Sequence, residues 1–229
     1  MTTHTVPVDT DTIPTSTTFD RIAAVSGIVF LVCILLSMVL VGSMPTTSDD
    51  AAKLTEYFAN NAGGHKAGLL VICFGIFPAC LFLAGLIGNP RRSDREHGEQ
   101  WGTAVAVFFI VGIAMLATSV MIDAGLMLSR DAGLSDDLLL ALWDISMAST
   151  GLMTLAFGGA TLSAGIPAIL HGTRPTWYGW LGVAAGVFGL LGLAGTVSDS
   201  DSAVALGLPM FPLFAVWIIA GSVFMWKDA

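Results

Sequence analysis

Two acidic residues lie inside long apolar stretches of the sequence: Asp123 in VMIDAGLM and Asp144 in ALWDISMA. An Asp at the bilayer centre costs about 2.5–3.5 kcal/mol on the insertion scale, so an acid placed there is a candidate for function. On a helical wheel Asp123 shares its face with Ser119 and Gly112, and Asp144 shares its face with Gly151 and Gly158. Small residues mark faces that pack against neighbouring helices, so both acids are expected to point into a bundle. A tight polar turn, Ser129–Asp137, joins the two runs and makes them antiparallel neighbours. The acids stand at similar distances from that turn and are expected to approach one another. Asp123, Asp144 and Ser119 are therefore the candidate proton, cation or ligand site. Two carboxylates in one dry cavity repel and tend to hold a proton between them, which suits proton coupling. The competing reading has both acids near the headgroups, with Arg130 in reach to neutralise one of them.

No other constellation of reactive residues is present. His4, His65, His97 and His171 are far apart in sequence, outside the apolar runs, and form no histidine box. There is no Gly-x-Ser-x-Gly elbow, His-Glu-x-x-His motif or phosphate-cradling glycine loop. Cys33, Cys73 and Cys80 all fall in apolar runs without metal-type spacing, and read as buried thiols that pack as small hydrophobes. Neither a catalytic activity, a metal nor a cofactor is expected.

The elements that must carry the acids are membrane spans. Hydrophobic residues make up 55% of the chain and charged residues 11%, with mean hydropathy +0.81, too apolar for a soluble domain, which carries roughly a quarter charged residues. Long uncharged runs place six spans at about 21–43, 66–88, 101–128, 138–171, 177–197 and 204–226. The fold class expected is all-α: a single six-helix transmembrane domain over 21–229, preceded by a disordered cytoplasmic tail over 1–20. One short extracytoplasmic amphipathic helix is added between the first two spans, over Ser48–Asn61. Asp49 and Asp50 open it, Gly63 and Gly64 follow it, and Ala51, Leu54 and Phe58 form its apolar face. Pro78 is expected to kink the second span. The fourth run would be about 50 Å long as a helix against a hydrocarbon layer of ~30 Å, so its start is expected to overrun the membrane.

Orientation follows from the basic residues. Arg21, Arg91, Arg92, Arg95, Arg174 and Lys227 fall on one side, and Lys53, Lys66 and Arg130 on the other. The positive-inside rule puts both termini in the cytoplasm and the protein in the plasma membrane. Trp101, Trp177, Tyr178 and Trp226 collect on the same side as an interfacial belt. The formal charge of −8 argues against nucleic acid as a partner, since phosphate binding needs clustered Lys and Arg. Membrane lipids, another membrane protein or a second copy of the chain are the partners expected.

Two glycine stripes indicate where helices touch. Gly179, Gly182, Gly186, Gly189 and Gly192 lie within roughly 140° of the fifth span, and Gly151, Gly158 and Gly165 repeat every seven residues in the fourth. Ser26, Cys33 and Ser37 share a face of the first span and read as interhelical contacts.

With its apolar first span, the segment DDAAKLTEYFANNAG, the acid-bearing LLLALWDIS and the RPTWYGWLG opening of the fifth span, the chain resembles a broad group of six-helix membrane proteins common in actinobacteria. That resemblance covers most of the chain after the tail and implies a fold and a bacterial source; its members have no assigned reaction. The function expected is that of a non-catalytic component or accessory subunit of a cell-envelope assembly. The alternatives are a small proton-coupled permease using Asp123 and Asp144, and a lipid-binding or lipid-modifying bundle with the short helix as a lid.

Overall fold

The computed structural model describes residues 17–93, 98–129, 134–196 and 206–229, and among these every regular element is a helix. We number the six long helices α1 (Thr17–Val41), α2 (Ala51–Ser93), α3 (Gly98–Ser129), α4 (Asp136–His171), α5 (Thr176–Thr196) and α6 (Met210–Lys227). Each is long and apolar enough to cross a membrane. Most of the 1–20 tail and the loop bearing Asp199 and Asp201 lie outside the described residues, as does Arg130; α1 itself starts at Thr17.

Consecutive helices pack side by side, and α6 packs on both α5 and α1, so the six close into a ring. Chain ends gather at what we call the terminal end of the bundle. There Arg21 of α1 lies over the Trp226 ring, and Arg174, just before α5, forms an ion pair with Asp228 at 2.6 Å. Gly172, at φ +63°, ends α4 in the left-handed conformation that lets the chain reverse into α5.

The main departure from the sequence expectation is in α2. The segment expected as a separate amphipathic helix is not separate: Ala51–Asn61 is the first part of one 43-residue helix, about 65 Å long at 1.5 Å per residue. Asp50 caps its start by accepting from the Lys53 N–H at 2.9 Å. Gly63 and Gly64 do not stop it. A side chain at Gly64 would strike the Leu40 carbonyl, so glycine serves here to let the end of α1 approach, and the helical ladder runs on. It also runs on through Pro78 and past residue 88, the expected end of the second span, as far as Ser93.

At the far end of the bundle, α2, α3 and α4 extend well beyond the short helices α5 (21 residues) and α6 (18 residues). Their extensions share a small core of their own: Leu54, Tyr57 and Phe58 of α2, Leu126 and Met127 of α3, and Trp143 of α4. The larger core fills the rest of the ring. Its aromatic side chains come from all six helices: Phe30, Phe82, Phe109, Phe157, Tyr178, and Phe214 with Trp217.

Glycines set the closest helix contacts. A Cβ on Gly158 of α4 would lie 2.9 Å from Gly189 Cα of α5, and one on Gly165 would lie 2.6 Å from the Gly179 carbonyl. Gly182 and Gly186 sit against the Thr161 and Gly158 carbonyls in the same way, whereas Gly151 is only half-buried. Backbones approach here to a distance no larger residue permits, which is how helices gain van der Waals contact in an apolar solvent. A second set, Gly68 and Gly75 of α2, meets Ser37 and Cys33 of α1.

Three side chains lie elsewhere than the sequence suggested. Tyr178 is buried and stacks on Trp217 at 5.5 Å, so it belongs to the core and not to a rim of aromatics. Cys73 and Cys80 are exposed on the outward face of α2 beside Phe74 and Phe77, while Cys33 is half-buried.

Candidate functional site

Asp123 is buried, 5% exposed, and it does not meet Asp144. Asp144 is exposed on the outward side of α4, next to the equally exposed Ile145. The residue of α4 that faces Asp123 is Ser146, fully buried two positions further on, about 200° around the helix from Asp144. On the wheel Asp144 stands only about 40° from Gly158. Gly158, however, packs on Gly189 of α5, and α5 ends at Thr196, seven residues past that contact. Asp144 lies fourteen residues back along α4, so this face of α4 has lost its partner helix at the level of Asp144.

Around Asp123 the structure assembles a buried chain of polar groups. Ser146 Oγ donates to Asp123 Oδ1 at 2.7 Å. Its single proton is then committed, so the Ser119 hydroxyl, 2.9 Å away, donates into Ser146. Thr150 Oγ1 stands 3.2 Å from Ser119 and also reaches the Ser146 carbonyl at 3.1 Å. On the other side, Asp123 Oδ2 faces Nε2 of His65 at 3.7 Å. His65 Nδ1 is 2.9 Å from the Tyr57 hydroxyl, and that hydroxyl is 3.0 Å from the carbonyl of Val41 at the end of α1. The chain thus joins four helices, from Val41 of α1 through Tyr57 and His65 of α2 and Asp123 and Ser119 of α3 to Ser146 and Thr150 of α4.

Apolar rings close the site. Phe58 meets His65 edge-on at 5.4 Å and Trp143 at 5.8 Å. His65 is 1% exposed, as is Trp143. Two of the buried nitrogens, His65 Nε2 and Trp143 Nε1, have no hydrogen-bond partner among the described residues. Low polarity strengthens every interaction in the chain and makes any unmade one costly.

Toward the terminal end the chain of hydroxyls stops. Thr154 donates to its own helix at the Thr150 carbonyl, 3.0 Å, and Thr161 does the same at the Gly158 carbonyl, 2.9 Å. Beyond Thr154 begins the aromatic layer, within which Thr161 lies: Phe157 contacts Phe109 at 5.2 Å and stacks on Phe214 at 5.3 Å.

No family model, curated protein or solved structure matches this chain. What the site can do rests on its own chemistry. Among the described residues no three His, Cys, Asp or Glu side chains are grouped as metal ligands. One carboxylate, one imidazole, one phenol and three hydroxyls remain, a set suited to holding and passing protons.

The sequence named Asp123 and Ser119 but set His65 aside as isolated and outside the apolar runs. That judgement followed from ending a helix at Gly63–Gly64; once α2 is continuous, His65 lies two turns beyond Tyr57 on a buried face. Ser146 and Thr150 did leave a trace, as hydroxyls four residues apart with Thr154 following, a polar stripe in an apolar helix. His4 and His97 lie outside the described residues, and His171 is at the end of α4.

Proposed function

We propose that this chain is a non-catalytic component of a cell-envelope membrane assembly, inserted in the plasma membrane with both termini in the cytoplasm. The observation that carries this reading is the aromatic layer supplied by all six helices, which fills the ring on the terminal side of the buried polar chain. A permease needs a path with two accessible ends. Here the hydroxyls nearest the layer turn back to their own backbone, and the second acid, Asp144, faces outward. The lipid-handling alternative loses its lid, because Ala51–Asn61 is continuous with α2 and packs on Trp143 through Phe58.

In this reading the far-end extensions of α2, α3 and α4 stand on the extracytoplasmic side, where they are placed to meet another envelope protein. The resemblance to actinobacterial six-helix proteins suggests the kind of cell. Extraction from the native membrane in mild detergent, followed by size analysis and mass spectrometry, tests the proposal. A stoichiometric membrane-protein partner or a defined homo-oligomer is expected. A strictly monomeric particle that drives proton-dependent uptake in vesicles overturns it.

A further inference from the structure

The polar chain at the far end has a hydrogen count that does not close. Three contacts run in series: Val41 carbonyl to Tyr57 hydroxyl at 3.0 Å, Tyr57 hydroxyl to His65 Nδ1 at 2.9 Å, and His65 Nε2 to Asp123 Oδ2 at 3.7 Å. A carbonyl and a carboxylate bring only lone pairs. Tyrosine brings one hydrogen and a neutral imidazole brings one. Two hydrogens therefore serve two hydrogen bonds and a third contact that, at 3.7 Å, is of ion-pair length and sets a ring nitrogen against a carboxylate. If Tyr57 donates to Val41, then Nδ1–H must donate to Tyr57, and Nε2 presents its lone pair to a carboxylate oxygen. If the imidazole is turned to the other tautomer, Tyr57 must donate to Nδ1 and its oxygen opposes the Val41 carbonyl. Either way one pair of acceptors faces the other without a hydrogen, and both groups are buried: His65 is 1% exposed and Asp123 5%.

We propose that His65 and Asp123 form a binding site for one proton, taken from water at the far end, that completes this chain and ties α2 to α3. With the proton present, on Nε2 or on Oδ2, all three contacts have a hydrogen and the pair is neutral as a whole. Without it the bundle buries a net negative charge beside a neutral ring. The titratable groups facing His65 are Tyr57 of its own helix and Asp123 of α3. From α4 come the Ser146 hydroxyl, bonded to the other carboxylate oxygen, and Trp143, which meets His65 across Phe58; α1 contributes the Val41 carbonyl. Among the described residues Asp123 has no ion-pair partner but His65, and in this proposal the proton supplies the positive charge. The consequence is mechanical: proton binding holds the ends of four helices together, and its loss leaves the far-end core without its polar tie.

The test uses the full chain in nanodiscs. Thermal stability is measured between about pH 5 and 8 for the wild type, His65→Gln and Asp123→Asn. Because the folded state holds the extra proton, stability falls as pH rises. Above the unfolded imidazole value of ~6.5, and for as long as the folded site keeps its proton, the wild type loses up to about 10-fold in the folded-to-unfolded ratio per pH unit relative to either variant. Identical pH slopes in all three proteins overturn the proposal. If the variants do not fold, nitrogen spectra of histidine-labelled wild type and the infrared carboxyl band decide it. A doubly protonated His65 or a protonated Asp123 supports the site; a singly protonated His65 beside an ionised Asp123 throughout that range overturns it.

Discussion

The two buried regions of this bundle are built on opposite principles. At the terminal end and through the middle, aromatic rings from six helices interlock: Tyr178, Trp217 and Phe214 stack in series, with Phe82 edge-on to Trp217 at 6.4 Å. Polar atoms there have little to do, and Tyr178 Oη, Trp217 Nε1 and Ser222 Oγ find no hydrogen-bond partner among the described residues. At the far end α2, α3 and α4 share a small apolar core, reached by the end of α1, around two hydrogen-bonded pairs, Tyr57–His65 and Ser146–Asp123, that face each other at 3.7 Å. One region is held by shape, which pH does not touch. The other is held partly by charge and hydrogen count, which pH does.

Substitutions that separate the two regions follow in order of expected effect. Gly158→Leu acts on the backbone contact that underlies the aromatic region, where even a Cβ would sit 2.9 Å from Gly189 Cα. It is expected to abolish the folded monodisperse particle in detergent, seen by size-exclusion chromatography. Phe82→Ala empties a fully buried aromatic position and should cost about 3–5 kcal/mol in unfolding free energy, by the same amount at every pH. Ser146→Ala removes the donor to Asp123 Oδ1 and should cost about 1.5–3 kcal/mol, the figure for a hydrogen bond to a charged group. Its cost should change with pH, and a pH-independent loss like that of Phe82→Ala would erase the distinction between the regions.

The smallest effect belongs to the exposed start of α2. The side-chain bond from Lys53 and the backbone N–H of Thr46 hold the Asp49 carboxyl below its ordinary range. A depressed carboxyl contributes stability above its unfolded value of ~3.9, which is lost as the pH falls through the lower folded value. Asp49→Asn should therefore change unfolding slightly near neutrality and not at all in strong acid, a sense opposite to that proposed for the His65–Asp123 pair.

Much of this architecture was legible in advance because lipid imposes a simple rule. A helix that satisfies its own backbone can cross an apolar layer, so apolar runs alone placed six long helices, and glycine spacing marked the faces on which α4 and α5 meet. Asp123 and Ser119 were legible for the same reason, as polar residues where polar residues are expensive. Asp144 was misplaced because the face of α4 that packs on α5 at Gly158 has no partner helix fourteen residues earlier, where the short α5 has already ended. His65 was passed over because glycines that usually end a helix in water here admit the Leu40 carbonyl of a neighbour.

Composition and periodicity determined that six helices are long and apolar enough to cross a membrane, and which glycine faces of α4 and α5 meet, since each depends on residues close in sequence. Which side chain meets Asp123 was decided only by the tertiary structure. His65, 58 positions away on a helix whose continuity depends on its neighbour, and Ser146, on the far side of a turn, reach it because three helices overrun the others and pack together. A hydrogen count across four helices has no signature in any one of them. It arises when they meet, and there the charge of this buried site is set.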